Sequence, residues 1–457
     1  MTFQTLTDPD AALSLRDALG DRIVLPAEPA YDSMRRAWNL AIDQRPFAVA
    51  HPTSAEDVVD IVRAAVAADL RVAPQSTGHG AAGLADTDLS RTVLVSLALL
   101  RGVTVNPAER TARVLGGSLW LDVLEAAAPH GLTALHGSAG DVSVAGYSLN
   151  GGLSFYARQH GMAVNAVRSI TIVTADGVLR TASTTENPEL FWAVRGGSGA
   201  FGVVVSLEID LLPYAEIYAG MLLWDASHAS EVGRAWREWT LTAPVSATTT
   251  FRVLHFPPVP ELPPFLSGRS VTVIDGVVLE SDEDAAALLA PLRALTPEMD
   301  TFGRMPAAGL VHVHMDPPEP SPALAAHTML ADLPVEALDA FVAAGSVPSP
   351  MMAEMRHLGG AAATRPEGAG AVGAVDAEYL VAGIGMVPVP EMAPTARMLT
   401  HSLMATMEPW AAPSRALTFM DGEVDRAPGF GESAQRLAEL KRQYDPRDVF
   451  AAANPVA

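Results

Sequence analysis

The stretch "RVAPQSTGHGAAGL", residues 71–84, decides how this chain is read. The apolar run that opens it reads as a short buried strand. That strand delivers the chain into a turn built from Ser, Thr, Gly and Ala. Residues this small let backbone N–H groups converge on an anion such as a phosphate. At the centre of the turn stands His79, a bulky and nucleophilic imidazole. A second glycine-punctuated segment, "GSAGDVSVAGYSLNGGLSFYARQHGM", covers residues 137–162 of the same half. Together the two loops could clasp one diphosphate. Neither is a Walker loop, and neither fits GxGxxG opening a helix after a strand, so a Rossmann site is not indicated.

Outward from the first loop, "YDSMRRAWNLAIDQRPFAVAHPTSAEDVVDIVRAAVAADLRVAPQ" reads as helix, strand, capped helix and strand. Thr53 or Ser54 caps the second helix, with Glu56 and Asp57 in its first turn. Val58, Val59, Val62, Ala65 and Val66 recur at helical spacing. "RTVLVSLALL" and "TARVLGGSLWLDVLEAAAPHGL" each place a strand before a turn, and the second adds a helix. "AVRSITIVTADGVLRTAS" alternates as a hairpin with "ADG" at its turn. The strand "FGVVVSLEIDLLP" closes this half. Strands and helices mixed without regular βαβ alternation predict an α+β fold and not a doubly wound sheet. From Tyr214 the character changes. Long strands ("AGMLLW", "TTTFRVLHF", "SVTVIDGVVL") alternate with amphipathic helices ("DEDAAALLAPLRAL", "PVEALDAFVAA"), which predicts a sheet with helices on one face. The tail, "ESAQRLAELKRQYDPRDVF", is a periodic helix stopped at Asp445-Pro446.

At 457 residues the chain is too long for one ordinary core, so more than one domain is expected. Hydrophobic residues make up 49% and charged residues 18%, as in a globular protein. A formal net charge of −22 repels phosphate backbones and anionic lipid, which argues against nucleic-acid and membrane partners. No cysteine is present, which removes disulfides, thiolate metal sites and a cysteine nucleophile. Lys441 is the only lysine, which leaves little room for Schiff-base chemistry. No secretory signal or apolar run of about 20 residues is seen, so a cytoplasmic location is expected.

Five blocks, in order, resemble the FAD-linked oxidases with the vanillyl-alcohol-oxidase flavin-binding (PCMH) fold, in the berberine-bridge-like branch. They are "WNLAIDQRPFAVAHPTSAEDVVDIVRAAVA", "PQSTGHGAAGL", "GSAGDVSVAGYSLNGGLSFYARQHG", "TADGVLRTASTTENPELFWAVRGGSGAFGVVVSLEIDL" and "RLAELKRQYDPRDVF". The resemblance implies an α+β PCMH-type FAD-binding domain of two subdomains over residues 1–213. It implies a substrate domain, an antiparallel sheet covered by helices, over 214–420. A segment over 421–457 then returns to the FAD domain. It further implies an oxidase that takes hydride from a small, apolar metabolite to FAD, with molecular oxygen as acceptor, acting as monomer or homodimer.

In this family the histidine of the first loop bonds covalently to the flavin 8α-methyl group, and His79 stands on that position. A second attachment in relatives uses a cysteine where this chain has Ala139, so a single attachment through His79 is implied. By the same resemblance Ser76, Thr77, Gly78, Gly80 and Leu84 flank the pyrophosphate. Gly137, Ser138, Asp141, Val142, Gly146 and Tyr147 line the other side, followed by Asn150, Gly151 and Gly152. Val203 and Val204 contact the adenine end, while Trp192 and Arg195 brace the region.

The family's catalytic Tyr-x-Asn stretch corresponds to Leu417-Thr418-Phe419, which has neither residue. Candidates to replace the missing base are Tyr379, on a strand expected to face the flavin domain, and Tyr147, His255, His312 and His314. "VHVH" reads as a strand that puts His312 and His314 on one face; with no third ligand in view, no metal is expected. Asp421 and Glu423 read as solvated turn residues, and Arg356 and His357 in "RHLGG" as a structural turn. The other readings are a flavin-binding scaffold that has lost turnover and a metal enzyme centred on the two histidines.

Overall fold

The helix Ala55–Ala67 begins where the sequence supplies a capping box. Ser54 Oγ accepts the Asp57 N–H at 3.1 Å, and Asp57 Oδ2 accepts the Ser54 N–H at 3.1 Å. Its buried face, Val58, Ile61, Val62 and Ala65, covers a four-stranded sheet. That sheet runs Ile23–Val24, Ala48–Ala50, Thr92–Ser96, Arg71–Gln75, the last three strands parallel. Fully burying each Val or Ile contributes about 1.5–3 kcal/mol, so this face alone fixes the helix on the sheet. The structure, a computed structural model, describes residues 8–456 except 86, 261, 348–350, 423 and 424. Glu423 lies outside the described residues.

A second sheet is antiparallel, in the order Val103–Asn106, Thr111–Leu115, Val203–Asp210, Val167–Val173, Leu179–Ser183. Its last pair is the hairpin expected around "ADG", with Gly177 at φ +70° in the turn. The stretch "YDSMRRAW" yields one helical turn only, Tyr31–Met34, because Arg35 folds back to bond Asp32 at 2.8 Å and the Gln44 carbonyl at 2.6 Å.

The third sheet is antiparallel throughout. Its main path is Met299–Asp300, Glu216–Asp225, Ser270–Val278, Ala247–His255, Met351–His357, Tyr379–Met386, Ala323–Leu330. One face packs on the helices Ala229–Thr240, Asp282–Arg293, Val335–Gly345 and Ala393–Met407 around Trp236, Phe251, Phe341 and Val381. The opposite face turns toward the two smaller sheets: Leu380 and Ala382 join the core around the second sheet, and Ile217, Ala219 and Val277 pack with Phe155 and Tyr156.

The chain end returns to the beginning. The helix Ala434–Tyr444 packs Leu437 and Leu440 into the second core, and Phe450 pairs in parallel with Val72 beside the first loop. Among the described residues no helix is long and apolar enough to cross a membrane.

Candidate active site

The strand Arg71–Gln75 ends in the 76–80 loop, and the helix Val144–Leu149 follows the second glycine-punctuated loop. These two elements, with 198–204, 417–420 and 452–454, enclose one cleft. Ser76, Thr77, Gly78, His79, Gly80, Leu84, Val142, Gly146, Tyr147, Asn150 and Val204 all line it. Gly78 sits at φ +81°, and a Cβ there would fall 2.8 Å from Ala37, so the loop needs glycine on both counts.

His79 is held from three directions. Its ring stacks on Trp38 at 4.2 Å between centroids, and the Thr77 hydroxyl bonds Nδ1 at 2.8 Å. Nε2 is buried without a hydrogen-bond partner in the protein, 3.6 Å from the Asp141 carboxylate. Burial pushes the Asp141 carboxyl up, but His79 and the Trp38 indole N–H outweigh it and leave the group below the ordinary carboxylate value.

Tyr147 stands in the same cleft, with its phenol oxygen buried and unpartnered in the protein. Burial raises the phenol well above its ordinary pKa, and the positive charge of Arg356 acts in the opposite sense. Two of the expected cofactor glycines serve this ring. A Cβ on Gly137 would lie 3.0 Å from Tyr147 Cε2, and one on Gly152, at φ +73°, only 2.5 Å from Cε1. Gly137 and Gly152 therefore lie outside the cleft lining, as do Ser138, Asp141 and Gly151. Val203 is fully buried in the core while Val204 lines the cleft, because successive strand residues point to opposite faces.

The sequence of an FAD binding domain matches residues 46–183, and that of berberine and berberine-like proteins matches residues 426–457. The fold aligns with Physcomitrella patens BBE-like 1 at a TM-score of 0.85, covering 98% of this chain and 99% of that one at 19% identity. This is the fold of the berberine-like FAD-binding proteins. The 6-hydroxy-D-nicotine oxidase of Arthrobacter nicotinovorans shares it, with a TM-score of 0.82 at 23% identity over 96% of this chain and 98% of that one. In sequence, the chain is 34% identical to the (R)-6-hydroxynicotine oxidase of Paenarthrobacter nicotinovorans over 46% of each chain. It is 32% identical to the xylooligosaccharide oxidase of Thermothelomyces thermophilus over 48% of this chain and 45% of that one. The matched segment thus spans about half the length of these curated relatives. FAD fits the berberine-like cleft: a glycine-bearing loop offers backbone N–H groups, and the orphaned Nε2 of His79 points to a missing partner.

The other expected catalytic residues are not gathered there. Tyr379 is on a strand as expected, but it faces the helices: its hydroxyl bonds Thr240 Oγ1 at 2.7 Å and its ring packs on Trp236 and His357. Register decides this, since Tyr379 pairs with His357 and Leu330, which share the helix-covered face. His255 spends both ring nitrogens at 2.7 Å, on Ser270 Oγ and the Gly345 carbonyl. "VHVH" is no strand: a 3-10 helix spans Ala307–His312, so His312 is exposed while His314 is buried. Among the described residues no group of three or more His, Cys, Asp or Glu is placed to hold a metal ion. Asp421 is not a solvated turn residue, since its Oδ2 accepts the Ala325 N–H at 2.8 Å and burial raises its carboxyl. Arg195 does brace, donating to the Gly368 carbonyl at 2.7 Å over the Phe191 ring.

Two contributors went unread in the sequence. Trp38 opens the first of the five blocks, 41 residues before His79, but nothing in the sequence pairs the two. Asn454, near the chain end, donates to Asn150 Oδ1 at 2.9 Å, while Asn150 Nδ2 donates to the Gly146 carbonyl at 2.7 Å. Asn150, a hydrogen-bonding amide directly ahead of Gly151 and Gly152, is the one available signal for this second clasp.

Proposed function

We propose that this chain is an FAD-dependent oxidase with one covalent attachment, through His79, acting on a small-molecule substrate with dioxygen as electron acceptor. The observation that carries the reading is the His79 imidazole, oriented by Trp38 and Thr77 while its Nε2 stands buried in the cleft without a partner. The oxidase names of the nicotine and xylooligosaccharide relatives support the reaction class. FAD, when bound, supplies a two-electron acceptor for the hydride lost by the substrate.

The protein's own groups divide the remaining work. In this reading residues 1–213 and 421–457 hold the cofactor, with Ser76–Gly80 and Val142–Asn150 on either side of it. Residues 214–420 supply the substrate wall. Tyr147, kept neutral by burial, offers one hydrogen bond to orient the substrate and is not itself a ready base. Leu417 and Phe419, in place of a tyrosine and an asparagine, make that wall apolar.

Acid precipitation of the purified protein tests the attachment. Yellow colour that stays in the pellet, and moves to the supernatant in His79→Ala, is the expected result; colour released from the unaltered protein overturns it. Peroxide formed with substrate turnover tests the oxidase reading.

A further inference from the structure

Four charged side chains on the face of the third sheet opposite its helices meet a fifth, His314, from the chain just after the 3-10 helix Ala307–His312. Arg252 ion-pairs with Asp275 Oδ2, and its Nη1 donates to the His314 carbonyl at 2.8 Å. The His314 ring lies between two carboxylates, Nδ1 at 3.0 Å from Asp275 Oδ2 and Nε2 at 3.2 Å from Glu354 Oε2. Arg356 closes the row, with Nε at 3.0 Å from Glu354 Oε1 and Nη2 at 3.4 Å from Glu354 Oε2. Register places the four strand residues on one face: Thr250 pairs with both Asp275 and Arg356, and Arg252 with Glu354.

The charges of this row do not balance. Nε2 of His314 also lies 3.5 Å from Arg356 Nη2, but the nearer carboxylates at both ring nitrogens favour the doubly protonated ring, an imidazolium, against burial and Arg252. Arg252, His314 and Arg356 are then three cations against the two buried carboxylates Asp275 and Glu354. The nearest further carboxylate, Asp316, stands 4.0 Å from His314, but its side chain is 32% exposed, where water screens it. Asp275, His314 and Glu354 are at most 2% exposed. A buried surplus charge costs several kcal/mol unless an opposite charge meets it.

One place for that charge is open. Among the described residues, Arg356 Nη1 has no hydrogen-bond partner, while Nε is held by Glu354 and Nη2 lies between Glu354 Oε2 and His314 Nε2. The guanidinium lies 4.9 Å from the ring of Phe419, whose neighbours Thr418 and Met420 line the cleft. It is also near enough to act on the Tyr147 phenol.

We propose that Arg356 is a substrate-binding residue and that the substrate carries a carboxylate, which pairs with the free Nη1 edge and completes the charge of the Arg252–Asp275–His314–Glu354–Arg356 row. This deepens the oxidase reading by naming a substrate class, and it rests on that reading only for the cleft being the substrate's. Glu354 is the positioning residue, itself held by His314: it takes the guanidinium through Nε and Nη2 and leaves the Nη1 edge to the ligand.

The test uses the full-length, cofactor-loaded protein with acetate, butyrate and benzoate as probes, each against its neutral amide at constant ionic strength. Binding is read from the perturbed visible spectrum and from the shift in melting temperature. At least tenfold tighter binding of one carboxylate over its amide is expected. That preference should vanish in Arg356→Met, persist more weakly in Arg356→Lys, and strengthen in Asp316→Asn. Equal binding of acid and amide, no binding by any carboxylate, or a preference that survives Arg356→Met overturns the proposal. Chloride or sulfate competing as well as the carboxylates, an inorganic anion only, overturns it too. A colourless protein that still shows the Arg356-dependent thermal shift would sink the flavin reading and leave this one standing.

Discussion

The ring of Phe419 lies 4.9 Å from the guanidinium carbon of Arg356. The two come from separate elements, Arg356 from the third sheet and Phe419 from the short turn Leu417–Phe419. An aromatic face over a largely buried arginine is worth about 0.5–2 kcal/mol. Phe419→Leu keeps an apolar side chain and removes the face, so a loss of about 1 kcal/mol in urea denaturation is expected, with Phe419→Tyr near neutral. Equal stability of the leucine and tyrosine variants would show that the contact carries no such energy.

Tyr147 is held between two glycines that leave no room for a side chain. Gly152→Ala would place a Cβ 2.5 Å from Tyr147 Cε1 and 2.8 Å from Ala163 Cβ, on a backbone at φ +73°. Overpacking and left-handed strain together should lower stability by at least about 2 kcal/mol. Tyr147→Phe removes only an oxygen that has no partner in the protein, so its stability should match or exceed that of the unaltered chain. Its turnover should fall by about 100-fold if the phenol orients the substrate. Full turnover in the phenylalanine variant would remove Tyr147 from the reaction.

What the sequence made legible followed from local rules. Ser54 and Asp57 announced a helix start, "ADG" a hairpin, and the small residues around His79 a loop able to meet a phosphate. What it hid depended on which way a strand faces. Val203 and Val204 look alike in the sequence, and only the pairing of their strand with Val167–Val173 puts one in the core and the other in the cleft. Tyr379 was expected to face the flavin side for the same want of register. Arg356 read as part of a turn because "HLGG" follows it, yet pairing with Thr250 and Leu380 makes it strand. The partners Trp38 and Asn454 reach the site from far along the chain, where no periodicity reveals them.

Lys441, the only lysine, ties the chain end to the first half. Its buried Nζ donates to Asp445 Oδ2 at 2.5 Å and to the Ala200 carbonyl at 3.0 Å. Asp445 in turn accepts the N–H groups of Val449 at 2.7 Å and Phe450 at 2.9 Å. Lys441→Met leaves Asp445 as an unpaired buried charge, a loss of about 3–5 kcal/mol. The lesion should loosen the 449–454 segment that helps close the cleft, so cofactor retention should fall together with the melting temperature. A variant with normal melting and full cofactor content would show the pair to be dispensable.

Stability should fall as the pH drops below 6.5, through histidines buried in neutral form. Burial lowers His136 to about 4, His327 to about 3 with help from Arg415, and His357 to about 2 with help from Arg158. Each binds its proton in the unfolded chain near pH 6.5 but not in the folded one. The stability each preserves is therefore complete above pH 6.5 and drains away as the pH falls toward its folded value, by about 1.4 kcal/mol per pH unit. His314 works in the other direction: burial and Arg252 push its pKa down, but Asp275 and Asp316 outweigh them and raise it. Its stabilisation is therefore complete below pH 6.5, is lost only as the pH rises above that, and adds no slope to the acid window. Between pH 6.5 and 5 most ordinary carboxylates remain charged in the unfolded chain, so the slope in that window belongs mainly to the histidines. Denaturant unfolding measured across it should give a smaller stability at each lower pH. His136→Phe should flatten the slope by about 1.4 kcal/mol per pH unit. An unchanged slope in that variant would mean that His136 is already protonated in the folded protein.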